Sequence, residues 1–208
     1  MIRDDTVEGF LDSVASRTPT PGGGSVAAIA AATGAALVAM VARLTMGREG
    51  FEAVEPRMVE IEERADAERA VLLELADRDA EAFEAVMEAF ALPKRSDDEK
   101  AARSMAIQAA FVGAADVPME VARRAVELLG LALETVSTGN PDAASDGASG
   151  AAMLHAAVLC ATSNVDINAA SLKDAQAASA LRTSAEDLRG RADELIDRAR
   201  DAFRERTS

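Results

Sequence analysis

The stretch from Ser25 to Ala42 carries no charged residue, is dominated by Ala, and follows directly on Pro19-Thr-Pro-Gly-Gly-Gly24. A helix that is apolar all round has no face to give to water, so it belongs at the centre of a larger structure. Its alanines, glycines and hydroxyls are too weakly apolar for a membrane span, although its length approaches one. Other helices must therefore cover it. Composition agrees: 48 of the 208 residues are Ala, Trp and Tyr are absent and only six are Phe, which favours close-packed helices over sheet. The expectation is an all-α single domain over residues 1–208, a bundle of seven to eight helices with a buried central helix and one long heptad-like helix.

Local signals give the expected order. Phe10, Leu11 and Val14 mark a short amphipathic first helix, and the central helix runs to about Met46 before Gly47 and Gly50. From Pro56 to about Phe90, apolar residues recur at Met58, Ile61, Ala65, Leu72, Ala76, Phe83, Val86 and Phe90, close to a heptad seam. Leu92-Pro93 ends that helix, and Ser96-Asp-Asp-Glu99 reads as a capping box for the next. Further helices are expected from Pro118 to Gly139, from a Ser145 cap to about Thr162, from Asn164 to Leu181, and from a Thr183-Ser-Ala-Glu186 cap onward.

The net charge of −14 argues against a general nucleic-acid or anionic-membrane binder, since both need a basic surface. Lys makes only 3 of the 22 basic residues, a bias shared by salt-adapted surfaces and GC-rich coding sequences. The one cysteine, Cys160, excludes an internal disulfide and reads as a small core residue. Asp4, Asp5 and Glu8 stand where a secretory signal would be cationic, so a cytoplasmic location is expected.

Few residues are placed for chemistry. Asp79 falls on the apolar seam, whereas Asp77, Glu81, Glu84 and Glu88 fall outside it. A carboxyl there should be partly desolvated, which raises its pKa and suits it to proton transfer near neutrality; it could equally fix helix register through a hydrogen-bonded partner. Asn164, Asn168 and Ser171 share one helical face, either as a polar wall for a ligand or as glue between helices. Gly22-Gly-Gly-Ser25 is neither a P-loop nor a dinucleotide fingerprint, but backbone N–H groups at such a helix start can hold an anion or a carbonyl. Asp146 could be an ordinary first-turn acid. With His155 the only histidine, no metal site is expected.

Taken together, Thr18-Pro-Thr-Pro-Gly-Gly-Gly-Ser25, Gly139-Asn140 with Ser145-Asp146, and Asn164-Val-Asp-Ile-Asn168 resemble the formiminotetrahydrofolate cyclodeaminase / methenyltetrahydrofolate cyclohydrolase family. The likeness extends over nearly the whole chain. It implies an all-helical homodimer or higher homo-oligomer acting on a tetrahydrofolate derivative, with no cofactor beyond that substrate. The implied reaction closes 5-formimino-tetrahydrofolate to the 5,10-methenyl form with loss of ammonia, or hydrolyses the methenyl bridge in the same pocket. At the matched positions, Asp79 and Asp146 become proton-transfer candidates, and Asn140, Ser145, Asn164 and Asn168 candidates for orienting the pterin and its one-carbon unit. Gly22, Gly23, Gly24 and Ser25 would hold substrate by backbone groups, and Arg48, Lys94 and Arg95 are candidate cations for the anionic glutamate tail. Many relatives read Gly-Lys-x-x-Tyr where this chain has Gly47-Arg-Glu-Gly-Phe51, losing an amine and a phenol. The contrasting expectation is a non-catalytic helical scaffold, for which the seam and the charged last helix would suffice.

Overall fold

The computed structural model describes residues 1–207, and no strand occurs among them. Six α-helices follow in order: α1 (Val7–Val14), α2 (Gly23–Thr45), α3 (Glu55–Ala91), α4 (Asp97–Thr138), α5 (Ala144–Ala169) and α6 (Ala175–Thr207). Single 3-10 turns occupy Ile2–Asp4 and Pro141–Ala143.

The count is six helices, not seven to eight, because tertiary contacts override three local signals. Pro118 lies inside α4 rather than starting a helix. Its ring is buried, and the Ala114 carbonyl, whose helical donor the proline removes, accepts instead from Asn168 Nδ2 at 2.9 Å. The break expected near Asn164 occurs at residues 170–174, where the Asp174 carboxylate accepts from the backbone N–H groups of Gln176 and Ala177 at 2.9 and 3.1 Å and so starts α6. Thr183–Glu186 then lies within α6, held helical by the buried Ala178 and Ala185. Ser145 does not cap either: Asn140 Oδ1 accepts from Asp142 N at 3.0 Å to open the preceding turn, and Ser145 sits inside the first turn of α5. The Ser96 capping box is present in full, with Glu99 N donating to Ser96 Oγ at 3.1 Å and Ser96 N to Glu99 Oε2 at 3.0 Å.

α2 lies on α4 between α3 and α5, and α5 continues the layer to α6. Three segments, Gly23–Thr45, Asp97–Thr138 and Pro141–Ala169, are long and apolar enough by composition to cross a membrane; here they pack on one another. Alanines let the backbones approach, and Met58, Ile61, Leu72, Leu75, Leu129 and Leu154 fill the wider gaps. At the tightest crossing a Cβ on Gly34 would lie 2.9 Å from the Gly150 carbonyl oxygen and 2.6 Å from Leu154 Cγ. A Cβ on Gly150 would stand 3.1 Å from Leu37 Cβ.

This crossing decides the sign of two otherwise similar substitutions. Alanine in a helix is favoured over glycine by about 1 kcal/mol. At Gly130 the space a Cβ would take is open, with nothing within 4 Å, so Gly130→Ala should raise stability by about 0.5–1 kcal/mol. At Gly34 a rigid carbonyl stands in the way, so Gly34→Ala should cost about 1–3 kcal/mol. Denaturant unfolding followed by circular dichroism checks both, and a stabilising Gly34→Ala would show that the α2–α5 crossing is loose.

Candidate active site

The first turn of α2 has open backbone donors, and Gly22, its N-cap, has no side chain to meet them. A carboxyl from another helix lies there. Asp79, on the buried seam of α3, accepts the Ser25 Oγ–H at Oδ2 over 2.9 Å and also bonds the Ser25 backbone. Its Oδ1 packs so tightly on Gly24 that a Cβ there would collide with it. Only glycine lets the carboxyl reach this place.

Burial raises the Asp79 pKa above the ordinary carboxyl value, and the two bonds from Ser25 oppose that shift without cancelling it. The Ser25 hydroxyl has one hydrogen and two acceptors in reach: Asp79 Oδ2 at 2.9 Å and the Ala76 carbonyl at 3.1 Å. With Asp79 ionised the hydrogen serves the carboxylate; with Asp79 protonated it can turn to Ala76 while Ser25 Oγ accepts from the acid. Both protonation states are thus accommodated.

Asp79 opens onto a cavity of about 340 Å³ between the α2 entry turn, α3, α4 and α5. Phe83, Val86, Phe111 and Ile167 give it apolar walls, while Gly22, Gly23, Gly24, Asn164, Asn168 and Ser171 give it a polar side. Asn164 Nδ2 donates to the Cys160 carbonyl at 2.9 Å, and a Cβ on Gly23 would come within 3.1 Å of that nitrogen. Asn168 donates to both Ala114 O, at 2.9 Å, and Asn164 O, at 3.0 Å. Asp166 points away and pairs with Arg189. A larger groove of about 560 Å³ runs along α3 and α4, but its walls are exposed ion pairs such as Arg64–Glu127, with no desolvated reactive group.

Asn140, Ser145, Asp146 and Arg48 gather instead at the far end of α2, roughly 30 Å away by helix rise. There Asn140 N donates to Thr45 Oγ1 at 2.9 Å and Asn140 Nδ2 to Leu44 O at 3.2 Å. Arg48 pairs with Asp142 at 2.6 Å, between Gly47 and Gly50, both of which have positive φ. Asp146 and Ser145 stand in the first turn of α5. Lys94 and Arg95 lie exposed in the α3–α4 turn, outside the cavity lining. Cys160 is exposed, not a core residue, because its position on α5 faces outward, and His155 bonds Asp193 at 2.7 Å. Within one chain, then, Asp79, the glycine turn, Ser25, Asn164 and Asn168 come together, while Asn140, Ser145, Asp146 and Arg48 form a second group. Phe111, Ala114 and Ile167 are lining residues that no sequence signal singles out, since an apolar residue facing a cavity reads like one facing the core.

Comparison with known proteins gives the chain relatives over most of its length. The family model described as formiminotransferase-cyclodeaminase matches residues 6–187. A methenyltetrahydrofolate cyclohydrolase from Methylorubrum extorquens is 42% identical over 174 residues, 84% of each chain. A formimidoyltransferase-cyclodeaminase from Mus musculus is 37% identical over 171 residues, which are 82% of this chain and 32% of that longer protein. This chain thus spans about a third of the length of such two-part relatives. The crystal structure of a formiminotetrahydrofolate cyclodeaminase from Thermotoga maritima superposes over 100% of both chains with a TM-score of 0.89 and 32% identity. The chain belongs to the formiminotransferase-cyclodeaminase family.

Proposed function

We propose that the protein is a tetrahydrofolate one-carbon enzyme that cyclises 5-formimino-tetrahydrofolate to 5,10-methenyl-tetrahydrofolate and releases ammonia. The observation that carries this reading is Asp79, a carboxyl whose pKa is raised by burial and which a switchable hydroxyl serves at the wall of a mixed polar and apolar cavity. In the reaction, N10 attacks the carbon of the protonated formimino group, the N10 proton passes to the amino nitrogen, and the C–N bond breaks as ammonia leaves. Asp79 takes the first proton and delivers it to the second site, a task favoured by a pKa raised above the ordinary carboxyl value. Phe83, Phe111 and Ile167 would enclose the ring system and hold N10 against the carbon. Hydrolysis of the methenyl bridge is the second reading, favoured by the 42% identity to the cyclohydrolase; water replaces ammonia at the same carbon. A scaffold role would leave the cavity beside the half-buried Asp79 carboxyl without a use. Proton transfer by side chains requires no cofactor beyond tetrahydrofolate, and a cytoplasmic setting fits a one-carbon enzyme.

A homodimer would join the two groups of residues that one chain keeps apart. The open faces of α2 and α5 are almost uncharged in a protein of net charge −14, with Leu44, Leu159 and Ile167 among their exposed apolar residues. A two-fold axis lying in that face and perpendicular to α2 would lay the two copies of α2 antiparallel, so that the Asp146 end of one met the Asp79 end of the other. The glutamate tail would then find Arg48 from the second chain near the cavity mouth.

Asp79→Asn keeps the size and one acceptor of the side chain and removes its proton transfer. Turnover measured by methenyl absorbance should fall roughly 10²-fold or more with the fold intact. The same variant should be more stable than the parent at neutral pH. Because the folded-state pKa is raised, burial costs the parent nothing while Asp79 is protonated in both the folded and unfolded states. The stability gap between variant and parent should therefore be closed at about pH 3, open as pH rises above the ordinary carboxyl value, and level off above the raised one. A variant with normal turnover would make Asp79 structural. For the dimer, mixing inactive Asp79→Asn and Asp146→Asn chains by co-refolding should restore about a quarter of parental activity, since half the dimers carry one intact site. No recovery would separate Asp146 from the Asp79 site.

A further inference from the structure

Pro118 has no N–H, so in α4 it leaves the carbonyl of Ala114, four residues earlier, without its helical donor. That carbonyl belongs to a residue lining the Asp79 cavity, where an unpaired buried acceptor would be costly. Asn168, reaching across from α5, answers it: Nδ2 donates to Ala114 O at 2.9 Å and to Asn164 O at 3.0 Å. Both partners are carbonyls, which accept only, so the side chain cannot turn its own oxygen toward them. The amide orientation is fixed by chemistry. Both N–H groups of the Asn168 amide are used up, and Oδ1 has no donor among the described residues.

Resting on the folate reading of this cavity, we propose that Pro118 and Asn168 form a coupled pair that sets the polarity of the pocket, with the proline capturing the Asn168 NH₂ through Ala114 and leaving Oδ1 to meet substrate solely as an acceptor. An asparagine free to turn offers either a donor or an acceptor. This one selects an N–H. A reduced pterin carries such donors on its ring nitrogens and its amino group, alongside the acceptors that a freely turning amide could equally meet. Asn168 is therefore the element that fixes which edge of the ring faces α5, and with it how N10 is presented to Asp79. Neighbouring Asn164, with one N–H spent on Cys160, keeps a second N–H and does not impose the same restriction.

A double-mutant cycle separates the structural half of this pair from its substrate half. In Pro118→Ala the new N–H at position 118 can satisfy Ala114 from within α4. The thermal midpoint should fall in Asn168→Ala, and the fall should be roughly halved or better when Pro118→Ala is already present. Tetrahydrofolate affinity, measured by calorimetry, should weaken about tenfold in Asn168→Ala and stay weakened in the Pro118→Ala/Asn168→Ala double variant, because the new N–H at 118 gives Ala114 a donor but does not restore the lost Oδ1 acceptor. On a turned-over substrate this loss should appear in KM, and kcat should fall with it because N10 is no longer held in place against Asp79. Restored affinity in the double variant would make Asn168 a helix brace alone and overturn the proposal. Strictly additive midpoints would overturn the coupling. If Asn168→Ala does not fold, the double variant against Pro118→Ala alone still decides the affinity question. A parent that binds tetrahydrofolate but turns over neither folate defeats the functional reading and leaves the pair standing; a parent that does not bind it defeats the proposal.

Discussion

The structure depends on backbone reaching backbone between α2 and α5. Gly34 and Gly150 admit no Cβ at their crossing, and the alanines on either side hold the two axes close along their length. The central helix can therefore be covered on several sides by helices rich in small residues, with a handful of Leu, Ile and Met side chains closing the gaps. It also fixes the position of the site. The start of α2 meets the end of α5 because the two helices run in opposite directions across that contact, so the glycine turn and the two asparagines face each other over one cavity.

Glycine has a different task at the start of α2. At Gly24 the missing side chain makes room for the Asp79 carboxyl rather than for a neighbouring helix. The open donors of the helix start then give that carboxyl partial support while its surroundings withhold water. The glycines expected from the sequence to hold substrate lie against the protein's own Asp79: Gly24 leaves room for its carboxyl, and the bonds to it come from Ser25.

What is legible in the sequence is whatever depends on periodicity. The α3 seam puts Asp79 on the buried side without any coordinates, and the four-residue spacing puts Asn164 and Asn168 on one face. What is illegible depends on contacts between residues distant in the chain. Pro118 reads as a helix start because the donor that rescues Ala114 comes from Asn168, 54 residues away. Thr183-Ser-Ala-Glu186 has the letters of a cap, and nothing local says that Ala178 and Ala185 are buried there and keep the chain helical. Ser145 caps nothing because a 3-10 turn, itself capped by Asn140, runs straight into α5 and puts Ser145 inside its first turn, a shift of a few residues that motifs do not resolve. The separation of Asn140 and Asp146 from Asp79 is hidden for the opposite reason: motifs adjacent in a family pattern need not be adjacent in one chain.

The Ser25 hydroxyl, with one hydrogen and two acceptors at 2.9 and 3.1 Å, has a consequence for timing. A buried acid that gains or loses a proton ordinarily forces its surroundings to rearrange, and that rearrangement becomes part of the barrier. Here the rotation of a single O–H bond lets Ser25 bond Asp79 in either protonation state. If Asp79 carries the proton as proposed, the site can take it up and give it back without asking the packed helices around it to move.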